Sequence, residues 1–266
     1  PPRSTLFPYT TLFRSATVAY WTVLVDSHRT QRSFTESQSW LRVGQMSHAV
    51  SVQVQTLLSG LDYTMRGLES DFADGDVDGF RRAVQTTFDA YPAGTFLQIA
   101  VADEKGDIVC SNLQQDAETR AAKVSIRDRE HSQVHANREN MGMFIGRPVQ
   151  GRVSHKWTIQ LSRALYRQGQ FSGVLVLSLS PEYISRYFQS IFDGANDVIL
   201  LLRTDGAYLA RSQGQEQVMG RSVSDVRVAL FAPALERGTY EADSSVDGVQ
   251  RMYAWSRVEG YPLIVS

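Results

Sequence analysis

The chain has 266 residues, of which 42% are hydrophobic and 10% aromatic, and its formal net charge is −1. That length suits one large or two small domains, and the apolar and aromatic content excludes a disordered polar tract. The near-neutral balance excludes a global field that would draw the chain to nucleic acid or an anionic membrane, and the single cysteine, Cys110, excludes a disulfide framework.

Thr5–Ser15, TLFPYTTLFRS, looks like the translation of a sequencing-library adapter, with an unusual natural leader as the alternative. Residues 1–15 are therefore set aside from fold reasoning. Ala16–Val25, ATVAYWTVLV, is uncharged and apolar. Ten such residues cannot span a bilayer, which needs roughly 20. Residues 16–28 are expected to be the remnant of a transmembrane helix, the alternative being a short buried helix or strand. The chain stops on an apolar strand, Tyr261–Ser266, so both ends read as cuts in a longer gene.

From about Arg29 to Phe72 the spacing predicts one long stalk helix. Val43, Met46, Val50, Val54, Leu57, Leu61, Met65, Leu68 and Phe72 follow each other at gaps of three or four. Such a stripe suits packing along a domain or against a partner helix. Asp74–Gly79, DGDVDG, breaks it. Asp74, Asp76, Asp78 and Gly79 match the start of a calcium loop, but Gln85 stands where the bidentate Glu is needed. A helix junction with Asp78 as N-cap is the better reading, because Phe80, Val84, Phe88 and Tyr91 then form a second apolar stripe that Pro92 ends.

After Pro92 the period becomes strand-like. Strands are predicted at Phe96–Ala102, Ile108–Ser111, Phe144–Val149, Trp157–Tyr166 and Phe171–Leu179, with a turn at Asp103–Asp107. Pro181 opens a helix reaching Phe192, with Tyr183, Tyr187 and Phe188 inward. From Asp197 the plan restarts: Val198–Arg203, Ala207–Arg211, Thr239–Asp243, Val249–Ser256 and Leu263–Ser266. Two five-stranded antiparallel units make an internal repeat of architecture, with weak letter-by-letter similarity.

The segment from Asp128 to Ser180 carries the chemistry. It places Arg129, Arg147, Arg152, Lys156 and Arg163 among apolar runs. It offers no nucleophile–base pair, no phosphate-cradling glycine loop and no full set of metal ligands. No cofactor is expected. A partly dry Arg–carboxylate contact is strong and selective, so one or two of these Arg suit a small anionic ligand. Arg163, inside an apolar strand, needs a partner: a ligand, or an internal bridge to Asp128 or Glu130. Arg147 flanks Pro148 and reads as ligand-facing or as a solvated loop charge. Trp157 walls a pocket or belongs to the core. His131 and His135 stand four apart, a metal-pair spacing without a third ligand. His131 near the ligand would instead respond to pH. Ser162 and Ser178 have no base nearby in sequence, which argues against a serine hydrolase.

The motifs DREH (128–131), FIGRPVQGRVSHKW (144–157), IQLSR (159–163), GQFSGVLVLSLSPEYI (169–184) and LLRTDGAYLAR (201–211) resemble those of the double Cache family of extracytoplasmic sensors. The version found in bacterial diguanylate cyclases and histidine kinases is the most similar, over about Thr30–Ser266. The resemblance implies an α+β fold: a long N-terminal helix and second helix (29–91), then two PAS-like antiparallel-sheet modules, membrane-distal (92–193) and membrane-proximal (194–266). It further implies a periplasmic region at the bacterial inner membrane, flanking transmembrane helices, a homodimer and a small-molecule ligand in the distal module. The output domain is absent, since no GGDEF-like or kinase-like segment occurs. In amino-acid-binding relatives an R-x-W-Y segment carries the carboxylate-binding Arg, which falls at Arg129, with His131 and Ser132 where the aromatics stand. The Asp that receives the ligand ammonium falls at Ser178. An anion is thus expected rather than an α-amino acid, with ligand contacts from Arg129, His131, Arg147, Trp157, Arg163 and Ser178. The resemblance implies no catalysis by these residues and no nucleic-acid partner. A structural dimerisation module with a vestigial pocket is the rival reading.

Overall fold

A computed structural model of the chain describes residues 7–73, 77–113, 124–136, 142–152, 154–191, 194 and 196–266. Helix α1 (Phe7–Ala73) runs 67 residues, or about 100 Å at 1.5 Å per residue. It begins well before Arg29. From Phe13 to Gln38 every side chain is exposed. Ala16–Val25 is therefore neither buried nor a strand, but continues α1 in the open. No helix among the described residues is long and apolar enough to cross a membrane. Burial starts with the apolar stripe: Val50, Val54, Leu58, Leu61, Met65 and Leu68 are all inside, spaced to keep one face of a 3.6-residue helix inward. Leu58, not Leu57, takes the deeper position.

Helix α2 (Val77–Ala90) packs back on α1, with Phe80 edge-on to Phe72 at 5.3 Å between ring centroids. Asp78 falls inside its first turn, where it pairs with Arg81 at 3.4 Å, so it is not the N-cap. Asp74 and Asp76, which match the start of a calcium loop in sequence, lie outside the described residues.

Two antiparallel sheets follow. The first comprises β1 (Phe96–Asp103), β2 (Ile108–Ser111), β3 (Phe144–Ile145), β4 (Val149–Gln150), β5 (Trp157–Arg167) and β6 (Gln170–Leu179). Their order is β2-β1-β6-β5-β3, with β4 also on β5. The expected single strand Phe144–Val149 is thus two, so among the described residues the sheet has six strands rather than the expected five. Pro148 has no N–H to give a ladder, although the Gly146 N–H still donates to the Gln160 carbonyl at 2.8 Å. Helix α3 (Glu130–Ala136) lies against β5 and β6. Helix α4 (Pro181–Gln189) is capped by the Ser180 hydroxyl and ends at Ser190, short of Phe192.

The second sheet has β7 (Leu200–Arg203), β8 (Tyr208–Arg211), β9 (Arg237–Asp243), β10 (Gln250–Val258) and β11 (Leu263–Val265), in the order β8-β7-β11-β10-β9. Two short helices, α5 (Gln215–Val218) and α6 (Asp225–Ala229), connect β8 to β9.

The two sheets repeat one local construction. Gly106 donates to the Asp103 carbonyl and accepts from Ile126, just as Gly206 donates to Arg203 and accepts from Val223. The Ile99 amide donates to the Asn112 side chain as the Ile199 amide does to that of Ser212. One core joins them: Ile99, Leu161, Leu177, Leu201 and Leu263 meet Leu58, Leu61 and Met65 of α1 in a single apolar cluster.

Candidate functional site

The first sheet has two chemically different faces, because successive side chains of a strand point to opposite sides. Ile159, Leu161, Leu175, Leu177 and Ile99 face α1. On the other side a polar row crosses three neighbouring strands: Gln98 of β1 is in register with Ser178 of β6, which is in register with Gln160 of β5. All three are buried. The Ser178 hydroxyl donates to Gln160 Oε1 at 3.0 Å, and Gln160 Nε2 donates to Thr158 Oγ1 at 2.6 Å. Thr158 donates in turn to the Val149 carbonyl, and Gln98 Nε2 to Ser111 Oγ at 2.8 Å. Buried amides held in such a chain have fixed orientations.

Over this row lies a cavity of about 40 Å³, roofed by Arg129, His131 and the 149–152 strand end. Among the described residues Arg129 has no carboxylate within salt-bridge distance, and its one hydrogen bond is from Nη2 to the Gln150 carbonyl at 3.3 Å. Arg152, also on the rim, is committed to Asp128 at 2.6 Å and to the Ser125 carbonyl. That bond from Arg152 holds the Asp128 carboxyl below its ordinary range. Among the described residues no carboxylate lines the cavity. Burial, reinforced by the Arg129 charge, pushes His131 down to about 4, so it is a neutral imidazole at neutral pH. His135 is likewise lowered to about 4 by burial, and its Nε2 sits 2.9 Å from Ser162 Oγ. Among the described residues no group of three metal-ligating side chains forms. At this volume the cavity admits a few waters. A carboxylate-bearing guest requires the roof to lift.

The matching face of the second sheet is filled. Trp255, Tyr253, Leu202, Ile264 and Phe231 make an apolar cluster there, with Phe231 edge-on to Trp255 at 5.3 Å. The polar cavity therefore belongs to the first sheet.

The structure brings Arg129, His131 and Ser178 together but not the other three expected contacts. Arg163 is in register with Leu175, on the opposite face, where its guanidinium reaches Asp62 at 2.6 Å and Glu69 at 3.2 Å on α1. Its partner is internal, though neither Asp128 nor Glu130. Arg147 pairs with Asp205 at 2.9 Å, in a clasp where Arg203 also binds Glu130 at 3.2 Å and Asp205 at 3.1 Å. Trp157 packs against the second sheet's apolar cluster, with its ring beside Gly220. Sequence reasoning missed Gln98, Gln160 and the rim position of Arg152. The signal was present: Gln160 and Ser162 interrupt β5 at even positions, while Arg163 shares the odd, leucine-bearing face.

A family model described as a dCache_1-like histidine kinase sensor domain matches residues 181–266. No curated protein matches the sequence. Among solved structures, the extracellular domain of rpHK1S-Z16 is 24% identical with a TM-score of 0.75, over 87% of this chain and 94% of that one. The ligand-binding domain of the Pseudomonas fluorescens chemoreceptor CtaA, in complex with L-isoleucine, is 16% identical with a TM-score of 0.65, over 89% and 94%. That of the Pseudomonas aeruginosa PAO1 amino acid chemoreceptor PctB, in complex with L-Arg, is 22% identical with a TM-score of 0.60, over 83% and 90%. These likenesses establish the fold, an α+β arrangement of helix and antiparallel sheets shared with Cache sensor domains.

Proposed function

We propose that the chain is the extracytoplasmic sensing region of a bacterial membrane receptor, a double Cache unit of two sheet modules that binds a small anion and performs no catalysis. The ligand sits in the membrane-distal module, about residues 92–193, and residues 194–266 form the proximal module. The observation that carries this reading is the buried Gln98–Ser178–Gln160 row beneath Arg129, a guanidinium with no carboxylate partner among the described residues. Arg129 receives a carboxylate bidentately, while the fixed amides and the Ser178 hydroxyl orient the rest of the guest. The amino acids bound by the CtaA and PctB domains make an amino acid the natural comparison. Among the described residues no carboxylate is placed to take an ammonium group, so this cavity suits a carboxylate that lacks one.

Ligand entry lifts α3, and α3 is tied through Glu130 to Arg203 of the second sheet. Binding then shifts a two-state equilibrium by its differential affinity for the states. The output, cyclic-di-GMP synthesis or histidine phosphorylation, belongs to a domain beyond this chain. The region works as a periplasmic homodimer anchored in the inner membrane.

A second reading, a dimerisation module with a vestigial pocket, draws on the small cavity and on the exposed Trp21, Phe34 and Leu41 of α1. Thermal-shift screening of carboxylates and amino acids separates the two. Saturable stabilisation that Arg129→Ala abolishes supports sensing. A silent screen together with tight dimerisation through α1 favours the second reading.

A further inference from the structure

A separate and larger cavity, about 390 Å³, lies on the opposite side of the first sheet, between α1, α4 and the inner faces of both sheets. Its depth is lined by Ile145, Ile159 and Leu161 from one sheet and Leu201, Leu209 and Leu263 from the other, all fully buried. Among the described residues no charged side chain lines it. The polar atoms lie at the mouth, where the Tyr187 hydroxyl of α4 donates to Gln53 Oε1 of α1. Ile159 and Leu161 flank Gln160 in β5, so the sheet itself separates this space from the polar cavity above.

Protein interiors pack like organic crystals, with few voids larger than a water. An apolar guest against the cavity walls would gain dispersion contacts that water does not supply. Walls of aliphatic carbon offer water no hydrogen bonds, and such cavities stay dry and take apolar guests. The volume falls within the range of small-molecule sites, roughly 300–1,000 Å³. A partner helix has no room, because the depth lies beneath two helices that already cover it.

We infer a second ligand site here, for an uncharged molecule with an aliphatic or aromatic body and one hydroxyl or carbonyl head, held at the mouth by Tyr187 and Gln53. A charged head is disfavoured because no described lining residue offers a counter-charge, and a buried ion without a partner is costly. Occupancy bridges α1, α4 and both sheets, and it does not depend on the anion site.

The test is a titration of the whole chain with 1-octanol, with octanoate as the charged control, followed by thermal shift and calorimetry. Octanol should raise the melting temperature saturably, and octanoate should not do so through this site. Leu161→Phe fills the space and should abolish the octanol response while the unliganded protein stays folded. Tyr187→Phe, at the half-exposed mouth, should weaken octanol binding about 3- to 10-fold, the loss of one hydrogen bond; it keeps the test decisive should the filled variant not fold. Arg129→Ala should leave octanol binding unchanged, so failure of the anion site and failure of this one are told apart. Absence of saturable octanol binding to the wild type overturns the inference, as does octanol binding undiminished in Tyr187→Phe and in any folded Leu161→Phe.

Discussion

Acidification should destabilise this fold through two histidines. His131 and His135 are 5% and 1% exposed, and burial lowers both to about 4, against about 6.5 for an unfolded imidazole. Between those values the unfolded chain binds protons that the native state refuses. Stability is therefore complete above about pH 6.5 and falls as the pH drops toward 4. At about pH 5 each histidine removes roughly 2 kcal/mol, and the pair about 4, a large share of the ~5–15 kcal/mol of a typical domain. The carboxyls of Asp247 and Asp128, held low chiefly by Arg251 and Arg152, lose their charge only below the ordinary aspartate range, so they do not act in this window. Urea unfolding followed by circular dichroism at about pH 7, 6 and 5 should show the midpoint falling, and the double variant His131→Gln, His135→Gln should flatten that slope. A wild type equally stable at pH 7 and 5, or a double variant with an unchanged slope, would refute the reasoning.

Arg163→Met removes both ion pairs to α1 and leaves Asp62 with Arg66 alone; urea unfolding should register a loss of about 2 kcal/mol, with ligand affinity at the Arg129 site unchanged by calorimetry. Gly173→Ala places a Cβ 2.0 Å from the Ala102 carbonyl oxygen at φ +148°, where β6 crosses β1. Thermal melts should show a loss above about 2 kcal/mol. Gly220→Ala meets the Trp157 ring at 2.9 Å with φ +74°; a loss of about 1–2 kcal/mol should come with a shift in tryptophan emission. Trp255→Ala should destabilise by about 3–5 kcal/mol, since its ring fills the space that the first sheet leaves polar.

Periodicity made most of the fold legible. The stripe from Val43 to Phe72 and the alternation of Trp157–Arg167 are local patterns, and local patterns survive into structure. What failed had one local cause and two non-local ones. Gly146, Arg147 and Pro148 look strand-like in an apolar neighbourhood, but Pro148 cannot donate to a ladder, so the run splits. Arg163, an arginine inside an apolar strand, demands a partner, which the sequence leaves open as a ligand or an internal bridge. That partner lies 101 residues away on α1, at Asp62, and no spacing within β5 points to it. Parity would have helped, since Arg163 shares its face with Leu161 and Leu165. Gln98 reads as an ordinary polar residue until β1 is set beside β6 in register. The site is a property of three strands at once.

Among the described residues neither sheet owns a helix sufficient to cover its leucine-rich side; both borrow α1 for that purpose. A fragment ending near Ser190, or one starting near Val198, would leave such a surface bare or strip the shared cover from its other tenant. The halves should therefore melt in one cooperative transition and, expressed apart, should aggregate rather than behave as two autonomous units.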